Sequence, residues 1–278
     1  MRLTRLIPFL SALLGAGAST AQPCDAVDFK TLPLGASPHP AELRALLLAY
    51  PGLSYDATYG TLQTGAAPAL PLGKRRDRPH ADTLKDANIA EQFLFPYPLD
   101  FDLTLRRTPY ADPGRYRNDA FFRALYFNDK RSAKKSLATV SFTQGARADF
   151  QVTTKYAVDC QLTAAFAEIA ASGQDVAPYF RKTGGSFKWR KIAGTERLSA
   201  HSFGIAIDLN TQLGQYWRWS GAKPGNAGHY DNKIPAHIVE PMERYGFIWG
   251  GKWHHFDGMH FEYRPELILY SRLLATEK

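Results

Sequence analysis

The chain has 278 residues, 45% of them hydrophobic and 22% charged, which describes a globular protein of one large or two small domains and excludes an intrinsically disordered chain. Its formal net charge is +8 at pH 7. Such a surface favours polyanions, but charge alone does not choose among cell-wall polymers, anionic lipid surfaces and nucleic acid.

The chain opens with Met1-Arg2-Leu3-Thr4-Arg5, an apolar run over 6–18, and Ser19-Thr20-Ala21. This positive, apolar, small-residue order is that of a secretory signal peptide over residues 1–21. The apolar run is shorter than the roughly 20 residues a membrane span needs, and Pro8, Gly15 and Gly17 break it. Pro23 before Cys24 does not suit a lipoprotein cleavage site. A periplasmic or secreted protein is expected, with no stable membrane insertion after cleavage. In an oxidising compartment the two cysteines, Cys24 and Cys160, either close a disulfide, the favoured reading, or remain unpaired thiols with Cys160 buried on a helix. They are too few for a cysteine-based zinc site, so any metal must be held by histidine and carboxylate.

Residues 40–50 place Pro at a first helical turn with apolar residues on one side and predict a helix. Residues 60–78, rich in Gly, Pro, Ala and Thr, predict an irregular surface excursion. The basic clusters Lys74-Arg75-Arg76 with Arg78, and Lys130-Arg131 with Lys134-Lys135, have no interleaved aromatics for base stacking. They predict solvated loops, and nucleic acid is not an expected partner. Residues 118–126 predict another helix, 139–142 and 150–153 short strands, and 158–171 a helix with Leu162, Phe166, Ile169 and Ala170 at core spacing. All five tryptophans lie between Trp189 and Trp253, which fits either an aromatic cleft or bulky core packing.

In 204–209 alternation points Ile205, Ile207 and Leu209 one way and Gly204, Ala206 and Asp208 the other. A carboxylate beside two very small residues marks a strand face that something must approach. A helix over 235–245, strands over 247–249 and 259–263, and a last helix over 266–275 complete the chain. Mixed elements with short strands predict the α+β class. The expected division is a signal peptide (1–21), a helical and irregular region packed on the catalytic core (22–138), and a catalytic domain (139–278).

Catalytic zinc usually has three protein ligands and an open fourth position. His201 lies before Gly204, where the chain can turn back, and Asp208 lies on the strand that follows. A strand through His260 pairing with the one through Asp208 would set both side chains on one face about 5 Å apart. Asp257, three residues before His260 and next to Gly258, can then stand beside the metal as a general base without coordinating it. A positive partner for a developing oxyanion is sought upstream of His201, at Arg190 or Arg197, with Arg190 preferred. Glu262 either orients a ligand, lines the cleft or is a surface carboxylate. His254 and His255, in a turn flanked by Trp253, touch substrate, support a ligand by hydrogen bonding, or serve structure. Ser199 and Ser202 lack the setting of a serine nucleophile. Ser199, Arg197, Trp253, His255 and Glu262 are the candidates for substrate contact.

The motifs Ser199-x-His201-x-x-Gly204-x-Ala206-x-Asp208 and Asp257-x-x-His260-Phe261-Glu262 resemble those of the VanY-type zinc D-alanyl-D-alanine carboxypeptidases, a pattern shared with L-alanyl-D-glutamate endopeptidases. The wider α+β group includes a hedgehog signalling domain. The resemblance implies a small antiparallel sheet flanked by helices, zinc held by His201, Asp208 and His260, Asp257 as base, and peptidoglycan stem peptides as substrate. The segment from Asp112 to Arg117, with Phe121 and Phe122, also resembles longer members. A monomeric D-alanyl-D-alanine carboxypeptidase is the leading expectation. The L-alanyl-D-glutamate endopeptidase and a non-catalytic metal-containing wall-binding module are the alternatives, and a base at Asp257 argues against the latter. A non-haem iron oxygenase would also use two His and one carboxylate, but the seven-residue gap from His201 to Asp208 and export disfavour it.

Overall fold

In the computed structural model, which describes residues 24–276, Cys24 and Cys160 form a disulfide with Cα atoms 5.4 Å apart. The expected signal peptide lies outside the described residues. Among the described residues no helix is long and apolar enough to cross a membrane. Next to the disulfide, the Gln161 side chain accepts from the Val27 amide (2.7 Å) and donates to its carbonyl (3.1 Å), so the start of the described chain is stitched to a helix far along the sequence.

The N-terminal half contains α1 (Ala41–Ala49), the strands β1 (Leu53–Asp56), β2 (Thr61–Thr64) and β3 (Leu70–Pro71), and the short helices α2 (His80–Lys85), α3 (Asp119–Leu125) and α4 (Lys130–Lys135). Leu43, Ala45 and Leu46 of α1 are buried, and this helix packs along the C-terminal helix α7 (Pro265–Thr276). The antiparallel sheet β1-β2-β3 corrects the irregular excursion expected over 60–78. Leu62 is buried between half-exposed Thr61 and Gln63, a strand alternation too short to show through the glycine- and alanine-rich surroundings. The first basic cluster is an exposed loop, as expected, but its arginines have acidic partners. Arg75 donates to Glu42 (2.9 Å) and to the Tyr270 hydroxyl (2.6 Å), and Arg76 binds Glu91 through both Nε and Nη2. By contrast Lys130, Arg131, Lys134 and Lys135 are exposed on α4, whose N-terminus is capped by Asp129.

The C-terminal half begins with the hairpin β4 (Leu137–Phe142) and β5 (Ala148–Thr153), followed by α5 (Val158–Ala171). Leu162, Phe166 and Ile169 are buried as expected; Ala165 is fully buried where Ala170 is only half so. Then come β6 (Thr183–Gly185), β7 (Ala206–Asn210), α6 (Ala236–Arg244), β8 (Phe247–Trp249) and β9 (His260–Tyr263). These strands form a four-stranded antiparallel sheet in the order β6-β7-β9-β8. One buried cluster runs from Phe29 to Leu273 and includes residues of α1, α3, the hairpin and the four-stranded sheet. Helices and several small antiparallel sheets make this an α+β protein. Trp249, Trp253 and Trp217 are buried, so most of the tryptophan enrichment serves packing, while Trp219 is exposed.

Candidate metal and catalytic site

The metal candidates converge because of one turn and one strand pairing. His201 lies in a 3-10 turn, Ala200–Phe203, that ends at Gly204 with φ +69°. A Cβ at Gly204 would stand 2.9 Å from the Thr153 amide nitrogen, so both the left-handed backbone and the close approach of β5 require glycine there. The chain then enters β7, where Asp208 lies opposite His260 of β9. Cross-strand partners share a face. The donor atoms of His201, Asp208 and His260 all lie within 4.8 Å of one another, and the group leaves Asp257 out.

Hydrogen bonding fixes which ring nitrogens are free. His201 Nδ1 is 2.6 Å from the Ser186 carbonyl, which can only accept, so Nδ1 carries the hydrogen and Nε2 presents a lone pair 3.4 Å from Asp208 Oδ2. His260 Nε2 is 3.2 Å from Glu262 Oε2, while its Nδ1 faces Asp208 Oδ1 at 2.9 Å. A histidine whose rear nitrogen donates to a carboxylate or carbonyl is the usual setting of a metal ligand. Zinc bonds of about 2.0–2.1 Å in tetrahedral geometry set neighbouring donors roughly 3.4 Å apart, which is the separation of His201 Nε2 from Asp208 Oδ2.

Charge points the same way. Burial would raise the Asp208 carboxyl, but the charge and hydrogen bonds of His201 and His260 hold it well below the usual carboxylate range. Burial also works against a protonated His260, yet the bonds to Asp208 and Glu262 and the charge of Asp257 raise it to about 10. The carboxylates draw positive charge to the place where Nδ1 meets Asp208, and two imidazoles with a carboxylate suit a divalent transition metal.

Asp257 sits on the turn before β9, its amide bonded to the Gly250 carbonyl (3.0 Å) and its carbonyl receiving the His260 amide (3.1 Å). Its side chain keeps 22% exposure. Burial, with the charge of Asp208, pushes this carboxyl up to about 6 against the pull of His260 and Arg115. Arg115 Nη2 is 4.0 Å from Asp257 Oδ2, and the guanidinium lies over the Trp253 ring, 4.6 Å from its centroid, while donating to the His255 carbonyl. The Trp253 ring is in turn 5.6 Å from that of His260.

The remaining candidates divide clearly. Glu262 is buried, bonded to His260 on one side and to Arg117 (3.4 Å) and Arg264 (3.1 Å) on the other. Both ring nitrogens of His255 have protein partners: Nδ1 meets Asp112 at 2.6 Å and Nε2 accepts from the Gly225 amide at 2.8 Å. Arg197 donates to the carbonyls of Arg115 (3.2 Å) and Arg117 (3.3 Å), which fixes the backbone beneath both arginines. The side chain of Arg190 is exposed; its backbone carbonyl receives the Ser199 amide (2.9 Å) and its amide donates to Ser202 Oγ (2.9 Å), steadying the turn that carries His201. Ser199 itself is buried at the start of that turn.

Residues 193–263 match a family model described as D-alanyl-D-alanine carboxypeptidase. Over this segment, about a quarter of the chain, the sequence is similar to that family. Neither curated proteins nor solved structures gave a match. The family segment contains His201, Asp208, Asp257 and His260 but not Asp112, Arg115 and Arg117, which the N-terminal half brings to the same place. Sequence reasoning assigned those three no role, although the density of charge in Asp112-Pro113-Gly114-Arg115-Tyr116-Arg117 was a usable signal.

Gly184 on β6 was also missed. A Cβ there would meet Asp208 Cβ at 2.7 Å and Asp208 Oδ2 at 3.3 Å. Gly184→Ala is therefore expected to displace the carboxylate and weaken metal binding by about tenfold, a loss typical of disturbed ligand support, with little change in melting temperature. Competition with a chromogenic chelator measures it, and wild-type affinity in the variant would contradict the assignment of Asp208.

Proposed function

We propose that the protein is an exported zinc peptidase that acts as a monomer on peptidoglycan stem peptides and releases a terminal D-alanine. The carrying observation is that two histidines and a carboxylate converge while a further carboxylate, Asp257, stands beside them outside the donor group. A purely structural metal site has no use for that carboxylate. A zinc ion held by His201 Nε2, Asp208 and His260 Nδ1 would supply Lewis acidity toward the scissile carbonyl and acidify water at neutral pH. Asp257 accepts the proton of the attacking water and passes it to the leaving amine. Arg115, braced on Trp253 and 4.0 Å from Asp257, offers its guanidinium to the oxygen that gains charge. The family match supports the hydrolytic reading, and the signal-like residues 1–21 support export.

The test is to incubate the mature protein, with zinc and with chelator, with a defined muropeptide pentapeptide and weigh the products. Loss of one alanine, abolished by chelator, is the expected result. Release of the whole peptide beyond L-alanine would make the protein an L-alanyl-D-glutamate endopeptidase, and no product despite bound zinc would refute a peptidase on this substrate.

A further inference from the structure

The excursion between β7 and α6, residues 211–235, contains Tyr216, Trp217, Trp219, Arg218, Lys223 and His229, and its one carboxylate, Asp231, pairs with Lys233 (3.5 Å). It is tied at several points to the segment that carries Asp257. Gly258 donates its amide to the Gln215 carbonyl (2.7 Å), Trp217 donates to the Phe256 carbonyl (3.0 Å), and Tyr216 pairs antiparallel with Asp257. Farther along, the Gly225 amide is held by His255 Nε2 (2.8 Å), and the Asp231 amide by Gln215 Oε1 (2.9 Å). The excursion is thus a built wall beside the catalytic carboxylate.

Within this wall Trp217 turns inward, 5% exposed and with its ring 4.5 Å from that of His255. Trp219 turns outward and is 63% exposed, with its ring 6.2 Å from that of Tyr216. The tight turn Trp217–Ser220 ends at Gly221 and is closed by Ser220 Oγ donating to the Trp217 carbonyl (3.0 Å), so local structure holds Trp219 in water. Arg218 is exposed, and its guanidinium rests on the Trp217 ring at 5.0 Å. Among the described residues neither Arg218 nor Lys223 has an acidic partner. Two aromatic faces and two unpaired cations suit a ligand that is flat or extended and negatively charged.

We propose that this wall is a specificity subsite: Trp219 and Tyr216 pack along the extended substrate peptide, and Arg218 pairs with a carboxylate that the peptide bears near the scissile bond. The inference rests on the stem-peptide reading, since the second and third residues of such peptides carry carboxylates that can be free or amidated.

Two synthetic stem pentapeptides, identical except that these carboxylates are free in one and amidated in the other, test it by calorimetric titration of chelator-treated protein, where no cleavage interferes. The wild type is expected to bind the free acid about fivefold more tightly, the scale of an exposed charge pair. Arg218→Gln should erase that preference. Trp219→Ala should weaken both peptides by about tenfold, in the range of aromatic contacts, while Trp219→Phe retains most of the affinity. Both side chains are exposed, so melting temperatures should not move. Equal binding of the two peptides by the wild type, no binding of either, or variants indistinguishable from wild type would overturn the proposal. Preference for the free acid without any cleavage in zinc would uphold the subsite and refute the peptidase reading; cleavage without preference would do the reverse.

Discussion

Asp257→Asn is expected to lower kcat by about a thousandfold, the middle of the range for loss of a positioned general base, while metal content and melting temperature stay near wild type. Asparagine preserves the shape of the side chain, and the backbone bonds to Gly250 and His260 that set the turn do not involve the carboxylate. The variant therefore separates proton transfer from metal binding. The pH dependence follows in sign. A base must be unprotonated to accept a proton, and burial places Asp257 at about 6, so kcat/KM falls as pH drops through that region. A metal cation beside the carboxylate moves this limb to lower pH, and titration of the chelated protein by carbon-detected NMR reads the higher value. Asp257→Asn should lose the limb along with the rate. Full activity in the variant would remove Asp257 from the mechanism, whatever the metal does.

The part of the site legible in the sequence is the part that is local. Gly204, Ala206 and Asp208 declared an approachable strand face by alternation alone, and the pairing of Asp208 with His260 followed from two short strands with one polar face each. The helix over 158–171 was equally open because its apolar spacing is long and regular. What the sequence hid is long-range. Arg115 and Arg117 reach the site from the far side of three helices and a hairpin, and neither follows a periodic pattern that would announce it. Arg190 was preferred as the cation because it is close to His201 in sequence, yet that closeness is spent on backbone bonds and its side chain points to solvent. Local composition likewise concealed β2 and β3, where a single buried leucine in Thr61–Thr64 carries the strand signal.

Glu262→Ala is expected to weaken metal binding by about 10- to 100-fold, as loss of the carboxylate behind a metal-ligating histidine does, and also to destabilise the fold by about 3–5 kcal/mol, the cost of leaving buried charges without a partner. Both effects come from one side chain that serves two neighbours. On one side its Oε2 stands 3.2 Å from His260 Nε2 and so keeps Nδ1 turned toward Asp208. On the other it is the counter-ion of Arg117 and Arg264, whose side chains are 9% and 0% exposed. Burial, with the charges of Arg197, Arg264 and Arg115, lowers Arg117 to about 10 despite the charge of Glu262. Arg264 continues the chain, its Nε donating to Glu266 Oε1 (2.5 Å), and the hydroxyl of Tyr50, the residue that follows α1, donates to Glu266 Oε2 (2.6 Å). His260 is thus joined, through Glu262, Arg264 and Glu266, to the N-terminal half of the molecule. Glu262→Gln keeps an oxygen for His260 but not the charge, so it should recover much of the metal affinity and little of the stability. Chelator competition and denaturant unfolding measure the two effects separately. Unchanged metal affinity in a folded Glu262→Ala protein would show that His260 does not depend on this bond, and unchanged stability would show that the two arginines find water or another acceptor in its place.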